Sequence, residues 1–130
     1  MKRTTILVLL LYLMTNAMAA QQPHVEMLMS KDLTDISSGK EVSMITVEFP
    51  PGGADPVHRH NAHGFIYVLE GSVVMQVKGG KEVTLKPGQT FYEGPGDVHV
   101  VGRNASKTMP AKILAILVKD KGAPLLVPVK

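Results

Sequence analysis

A chain of 130 residues, 45% of them hydrophobic, is long enough for one domain with its own core and too short for two. Its net charge of +3 comes without a cluster of Lys and Arg that would follow a phosphate backbone, which argues against nucleic acid as a partner. The sequence contains no cysteine, so an ordinary hydrophobic core must stabilise the fold without disulfide bonds.

The first 19 residues have the pattern of a secretory signal peptide. Lys2 and Arg3 precede the apolar run 6–14, and Ala17 and Ala19 provide the small side chains of a cleavage site after residue 19. The apolar run is shorter than the roughly 18 residues that a membrane-spanning helix needs, which argues against a membrane anchor. Cleavage takes two of the 14 basic residues and leaves 12 against 11 acidic ones, a net charge of +1. We therefore expect a periplasmic or secreted protein that has no membrane association after the leader is removed.

After the leader, short apolar runs alternate with glycine and proline, and none of them has a helical period. Strand-length runs rich in Val, Ile, Phe and Tyr and bounded by turn residues predict β-strands. The predicted strands are 41–49, 65–70, 72–78, 81–85, 90–93, 98–102 and 111–119. The pair Gly79-Gly80 between two of these runs predicts a β-hairpin. The sequence thus predicts an all-β fold of antiparallel strands that form a sandwich or barrel over residues 41–120.

The segments that flank this barrel have weaker patterns. Residues 20–40 are polar and are expected to form an N-terminal extension that leads into a loop over 34–41. The last residues, 121–130, are rich in proline and form a C-terminal tail. This tail is either exposed or an edge strand that the apolar residues 125–127 pack against the barrel.

Three of the five histidines of the chain, at positions 58, 60 and 63, lie within six residues. Because successive side chains of a strand point to opposite faces, His58 and His60 project from the same face and can approach one cation. Imidazole is a ligand for zinc, copper, iron and nickel. Further ligands must come from elsewhere in the fold, and His99, in the stretch GPGDVHVV, is the downstream candidate.

The stretch from residue 50 to residue 104 resembles the cupins, a family of small jelly-roll proteins. The family has a first motif of the form G-x5-H-x-H-x3/4-E-x6-G and a second of the form G-x5-P-x-G-x2-H-x3-N. The matching residues are Gly52, His58, His60 and Gly71 in the first motif and Gly88, Gly96 and His99 in the second. The resemblance implies a double-stranded β-helix. It also implies that His58, His60 and His99 bind a divalent transition metal ion, with iron, manganese, nickel, zinc and copper as the alternatives.

The first motif lacks its metal-binding glutamate, because Gly64 stands at that position. His63 is the adjacent candidate for a fourth ligand, but strand alternation points it away from the pocket unless a β-bulge at Gly64 re-aims it. The alternative is a site of three histidines that leaves positions open for water or substrate, as in catalytic metal sites. Glu48 and Glu93 are the nearest strand carboxylates that could act as a base or a substitute ligand, and we expect both to be exposed to solvent.

The second motif departs from the family pattern at two positions. Gly94 stands at its proline position, and Asn104 comes one residue after its last position. Asn104 also begins the tripeptide Asn-Ala-Ser, which has the form of an acceptor for N-glycosylation. These departures affect turns, whereas the loss at position 64 removes a ligand.

The resemblance leaves two functions open. The first is a metal-dependent enzyme, dioxygenase-like or isomerase-like, that acts on a small molecule by polarising a substrate oxygen or by activating O₂. The second is a non-catalytic cupin that binds a small ligand or a metal ion. The missing glutamate is the reason to consider this second function. Cupins often pair their edge strands, so a homodimer is expected. The sequence assigns no catalytic residue.

Overall fold

A computed structural model describes residues 21–32 and 39–130, and the predicted leader lies outside them. Every helix or strand in these residues is a β-strand, so the all-β prediction is confirmed. The described ranges therefore contain no helix of the length and hydrophobicity that crossing a membrane requires. The strands are β1 (His24–Asp32), β2 (Lys40–Phe49), β3 (His58–Arg59), β4 (His63–Glu70), β5 (Val73–Val77), β6 (Val83–Leu85), β7 (Thr90–Glu93), β8 (His99–Asn104), β9 (Ala111–Asp120) and β10 (Val127–Pro128).

The strands form two five-stranded sheets in which every pairing is antiparallel. The first sheet has the order β1-β2-β9-β4-β7, and the second has the order β10-β3-β8-β5-β6. From β2 onward the chain crosses between the sheets at every connection except the one from β5 to β6. This repeated crossing is the winding of a jelly roll, as predicted.

The core lies between the two sheets and follows from the alternation of side chains along each strand. In β9, every second residue from Ala111 to Lys119 is buried. In β4, Gly64, Ile66 and Val68 are buried, and the residues between them are exposed. The inner faces of the two sheets thus supply the apolar side chains that hold the sheets together. The largest fully buried apolar side chains are Phe49, Met75, Leu117, Val68 and Val73.

The hairpin predicted at Gly79-Gly80 joins β5 to β6. Val73 pairs with Leu85 and Met75 pairs with Val83, so the two strands run antiparallel on either side of the turn. Gly79 has a φ of 83°, a conformation in which a side chain introduces strain. The hairpin prediction is confirmed, and glycine is the residue that this turn requires.

Both segments that flank the predicted barrel contribute strands to the sheets. β1, within the predicted N-terminal extension, pairs with β2 from His24 to Asp32 and forms an edge of the first sheet. In the tail, β10 pairs with β3 and forms an edge of the second sheet, so the edge-strand alternative is the correct one. Most of the loop predicted over 34–41 lies outside the described residues, because the structure resumes at residue 39.

Candidate metal centre

Two histidines of the second sheet point their Nε2 atoms at each other. His58 lies in β3 and His60 follows its end, on either side of the exposed Arg59. Nδ1–H of His58 donates to the Pro56 carbonyl at 2.7 Å, and Nδ1–H of His60 donates to the Leu125 carbonyl. Because a carbonyl only accepts, the proton of each neutral ring is on Nδ1 and the lone pair is on Nε2. The two Nε2 atoms are 3.1 Å apart.

His99 brings a third imidazole from β8, where it is the register partner of His58. It is 4% exposed, and neither of its ring nitrogens makes a hydrogen bond of normal geometry among the described residues, although Oε2 of Glu93 lies 3.8 Å from Nδ1 and the Val101 backbone is a further polar neighbour. Burial, together with the nearby His58 and His60, lowers the pKa of His99 to about 4. The ring is therefore neutral at neutral pH, which is the form that binds a metal ion.

These three histidines fit a metal ion. One ligand nitrogen from each ring lies within 4.8 Å of those of the other two. Two lone pairs that face each other at 3.1 Å repel one another unless they share a cation, and two nitrogens bound to one ion at about 2.1 Å lie about this far apart. The carbonyls that accept from the Nδ1 atoms match the usual support of a histidine ligand, whose second nitrogen donates to an acceptor. The structure thus brings His58, His60 and His99 together in a form that suits metal binding.

His63, the fourth predicted ligand, lies on the outer surface of the first sheet. It is exposed, and a hydrogen bond of 2.7 Å joins its Nδ1 to the hydroxyl of Tyr92, on which the ring also stacks. The pairing of β4 with β7 and β9 continues without a register shift from His63 to Tyr67. The bulge that would turn His63 inward is therefore not present, and this ring points away from the other three.

Glu93, at the end of β7, is buried beside the histidines, and the expectation that it is exposed was wrong. It is 3% exposed, with Oε1 3.5 Å from Nε2 of His60 and Oε2 3.8 Å from Nδ1 of His99. Burial is the main cause that raises the pKa of Glu93 to about 7. The residue points inward because of the register between β7 and β4, which a single sequence does not reveal. Glu48, the other candidate, is exposed as expected and pairs with Lys112 at 2.9 Å.

The histidines and Glu93 line a cavity of about 380 Å³ between the sheets. Asp55 adds a second carboxylate to the wall, and burial raises the pKa of Asp55. Sequence reasoning missed Asp55, for which the one available signal was its position three residues before His58. An apolar cavity with a few converging polar groups is the usual form of a small-molecule site. The apolar wall includes Ile45, Val47, Ile66, Met75, Ile113 and Leu117.

Comparison with known protein families identifies the part of the chain that forms this site. The profile described as "Cupin domain" matches residues 45–117, more than half of the chain. The matched range runs from β2 to β9 and contains the three histidines and Glu93. A search of curated protein sequences found no match.

Three solved structures illustrate the likeness in fold. A conserved protein from Klebsiella pneumoniae with a double-stranded β-helix domain is 17% identical, over 86% of this chain and 88% of its own, with a TM-score of 0.65. Oxalate oxidase in complex with the substrate analogue glycolate is 25% identical, over 82% of this chain and 55% of its own, with a TM-score of 0.62. DMSP lyase from Ruegeria pomeroyi is 23% identical, over 68% of this chain and 43% of its own, with a TM-score of 0.60. The chain thus spans about half the length of the two enzymes, and the double-stranded β-helix prediction is confirmed.

Proposed function

This chain belongs to the cupin family, and we propose that it binds one divalent transition metal ion through His58, His60 and His99 and acts on a small molecule in the barrel. The observation that carries the proposal is the convergence of three imidazoles whose ligand nitrogens lie within 4.8 Å of one another. Zinc, copper, iron and nickel are candidate ions because imidazole suits them as a ligand, and manganese is a candidate through the resemblance to the cupins.

Other residues of the chain orient the histidines and form the walls of the site. The carbonyls of Pro56 and Leu125 hold the rings of His58 and His60 in the tautomer that binds a metal. The apolar walls of the cavity limit the entry of water and contact the carbon skeleton of a substrate. When bound, the ion would supply a Lewis acid for a substrate oxygen or, as iron(II), a centre for O₂ chemistry.

The size of the cavity and one of the similar structures favour a small, oxygen-bearing substrate. A volume of about 380 Å³ is near the lower end of the range for small-molecule sites. Oxalate oxidase, which is similar in fold, binds glycolate as a substrate analogue. We therefore propose a small organic acid or a related molecule as the substrate, in a dioxygenase-like or isomerase-like reaction.

The alternative of a non-catalytic binding cupin was motivated by the lack of a carboxylate at position 64. Glu93 brings a buried carboxylate beside that position, because its Oε1 lies 3.5 Å from where a Cβ of residue 64 would be. This carboxylate supports the metal-dependent enzyme, which is the function that we favour.

Export and self-association complete the proposal. The leader pattern over residues 1–19 supports delivery to the periplasm or to the outside of the cell. The outer strands of the two sheets, β1 and β7 in the first and β6 and β10 in the second, leave backbone edges that a second copy of the chain would cover. We therefore propose that the exported chain forms a homodimer.

The metal content of the chain tests the proposed function. The protein that begins at Ala20, produced without a His tag, is expected to retain one ion per chain after dialysis, as measured by elemental analysis. His63→Ala is the matched control, because it removes a neighbouring imidazole that faces outward, and its metal content is expected to be unchanged. A native protein that takes up none of the five candidate metals contradicts the proposal. Turnover of a small organic acid that stops on chelation supports the enzyme, whereas metal binding without such turnover supports the non-catalytic cupin.

The C-terminal tail is expected to contribute to metal affinity through His60. Deletion of residues 125–130 removes the Leu125 carbonyl that orients this ring, together with strand β10. Loss of such an outer partner of a metal-binding histidine lowers affinity by about 10–100-fold. Isothermal titration with zinc measures the change, and deletion of Lys130 alone is the control. Equal affinity of the two truncated proteins would show that the tail does not position His60.

A further inference from the structure

We propose that Glu93 is a fourth metal ligand and supplies, from the neighbouring strand β7, the carboxylate that the first cupin motif lacks at position 64. The inference rests on the proposed function, because it assumes the site of three histidines. In the motif the carboxylate belongs to β4, directly before the apolar run of that strand. In this chain a residue of the adjacent strand fills the same space.

The register of the first sheet directs Glu93 into that space. Gly64 and Glu93 are direct partners in the antiparallel pairing of β4 with β7. Residues that are directly opposite in an antiparallel pair point to the same face of the sheet. Gly64 is buried on the inner face, and Glu93 is buried on the same face, whereas the preceding residue, Tyr92, is exposed on the outer face. Side chains at positions 64 and 93 therefore enter the same part of the barrel.

Position 64 requires glycine because the side chain of Glu93 occupies the neighbouring space, and not because of its backbone conformation. A Cβ on Gly64 would lie 2.9 Å from Cγ of Glu93 and 3.4 Å from a methyl carbon of Leu117. The first distance is shorter than side-chain carbons tolerate, so a side chain at position 64 requires Glu93 to move. Gly64 is not among the residues with a positive φ, so its backbone does not itself require glycine. Gly64 and Glu93 thus form an exchange pair, in which a carboxylate on one strand requires a small residue on the other.

The carboxylate of Glu93 faces the histidines from the opposite sheet. Oε1 lies 3.5 Å from Nε2 of His60, and Oε2 lies 3.8 Å from Nδ1 of His99. His58 and His99 belong to the second sheet and His60 directly follows β3 of that sheet, whereas Glu93 belongs to the first. Three neutral imidazoles carry no charge, and a carboxylate adds the negative charge that binds a divalent cation more tightly.

Binding of Co²⁺ to four proteins tests the exchange pair. The proteins are the native chain, Glu93→Gln, the double variant Gly64→Glu/Glu93→Gly, and Glu70→Gln, which changes an exposed carboxylate of β4. Glu93→Gln is expected to lower Co²⁺ affinity by about 100-fold, the contribution of one ligand, and to change the visible absorption spectrum of the bound ion. The double variant returns the carboxylate to β4 and is expected to recover most of the affinity. Glu70→Gln is expected to behave like the native chain.

The outcomes separate this inference from the proposed function. A native chain that binds no Co²⁺ overturns both. A native chain that binds Co²⁺ with the same affinity and spectrum as Glu93→Gln overturns the role of Glu93 and leaves the three-histidine site standing. Recovery of affinity in the double variant supports the exchange pair, and a double variant that folds by circular dichroism but binds no better than Glu93→Gln overturns it. If the double variant does not fold, the comparison of Glu93→Gln with Glu70→Gln decides, because neither substitution changes side-chain size.

Discussion

Replacing His99 with leucine is expected to remove most of the metal affinity and, at the same time, to make the metal-free protein more stable. Both ring nitrogens of His99 are buried without a hydrogen-bond partner in the described part of the chain. A buried polar group without a partner costs about 1–3 kcal/mol. Leucine has a similar volume, fills the space beside Phe91 and carries no polar atom. The free energy of unfolding of the metal-free protein is therefore expected to rise by about 1–3 kcal/mol.

The loss of metal affinity in His99→Leu follows from the number of ligands. Structural metal sites with four ligands bind zinc with about 10–16 kcal/mol, so each ligand contributes about 3 kcal/mol, or about 100-fold in affinity. His58 and His60 alone form a pair with their Nε2 atoms 3.1 Å apart, without the imidazole from the neighbouring strand β8. We expect an affinity loss of about 100-fold or more.

Two measurements on the same proteins check the expected gain in stability and the expected loss of metal affinity. Urea unfolding after chelation gives the stability of the metal-free chain, and isothermal titration gives the metal affinity. His63→Leu is the control, because His63 is exposed and its ring contacts Tyr92 on the outer surface. It is expected to change stability by less than about 0.5 kcal/mol and to leave metal affinity unchanged. A metal-free His99→Leu protein that is less stable than the native chain would show that the imidazole is accommodated in the core.

The fold class was predictable because its signals are local. Each strand from β4 to β9 is a short run of apolar and β-branched residues that ends at glycine, proline or a polar turn. The run 111–119 corresponds to β9, and the Gly79-Gly80 pair marks the turn between β5 and β6. In both cases the alternation of side chains and the turn chemistry lie within a few residues, so a single sequence contains them.

Strand β1 was missed because an edge strand does not need an apolar pattern. Its side chains remain largely in contact with solvent: Val25 is 43% exposed, Met27 48% and Leu28 49%. A strand of this kind is stabilised by its backbone pairing with β2. Polar and apolar side chains are both compatible with that pairing. Composition therefore suggested an extension where the chain adds a strand to the sheet.

The site was predictable in part, since only some of its geometry is encoded locally. Alternation of side chains correctly grouped His58 with His60, whereas His63, which was kept as a candidate fourth ligand, points outward from β4 in the other sheet. His99 was identified through the resemblance to the cupin motifs, and its approach to His58 depends on the pairing of β3 with β8. Glu93 was expected to be exposed, because its orientation depends on the register between β7 and β4, two strands that are separated by two other strands in the sequence.

Asn104, at the end of β8, connects three segments of the chain through its side chain. Its Nδ2 donates to the carbonyls of Phe49, Pro50 and Met109, at 3.2, 3.1 and 2.7 Å. Its Oδ1 accepts from the backbone N–H of Ser106 at 2.8 Å. The residue is 4% exposed, so the Nδ2 to which a glycan would be attached is buried and engaged in hydrogen bonds. The Asn-Ala-Ser tripeptide is therefore not an accessible acceptor in the folded chain.

Replacing Asn104 with aspartate is expected to lower the free energy of unfolding by about 3–4 kcal/mol, although the two side chains have nearly the same shape. The change removes the donor to three carbonyls and puts a carboxylate oxygen against them. The Pro50 carbonyl keeps the backbone N–H of Gly53 as a donor, and each buried group that is left without a partner costs about 1–3 kcal/mol. Protonation of the aspartate would restore one donor, which limits the loss. Thermal unfolding at neutral pH measures the effect as a decrease of about 10–20 °C in Tm.

Asn61→Asp is the matched control, because Asn61 is exposed at a φ of 50° that aspartate also adopts. This substitution is expected to lower the free energy of unfolding by less than about 0.5 kcal/mol. Equal losses in the two variants would show that the hydrogen bonds of Asn104 do not hold the three segments together.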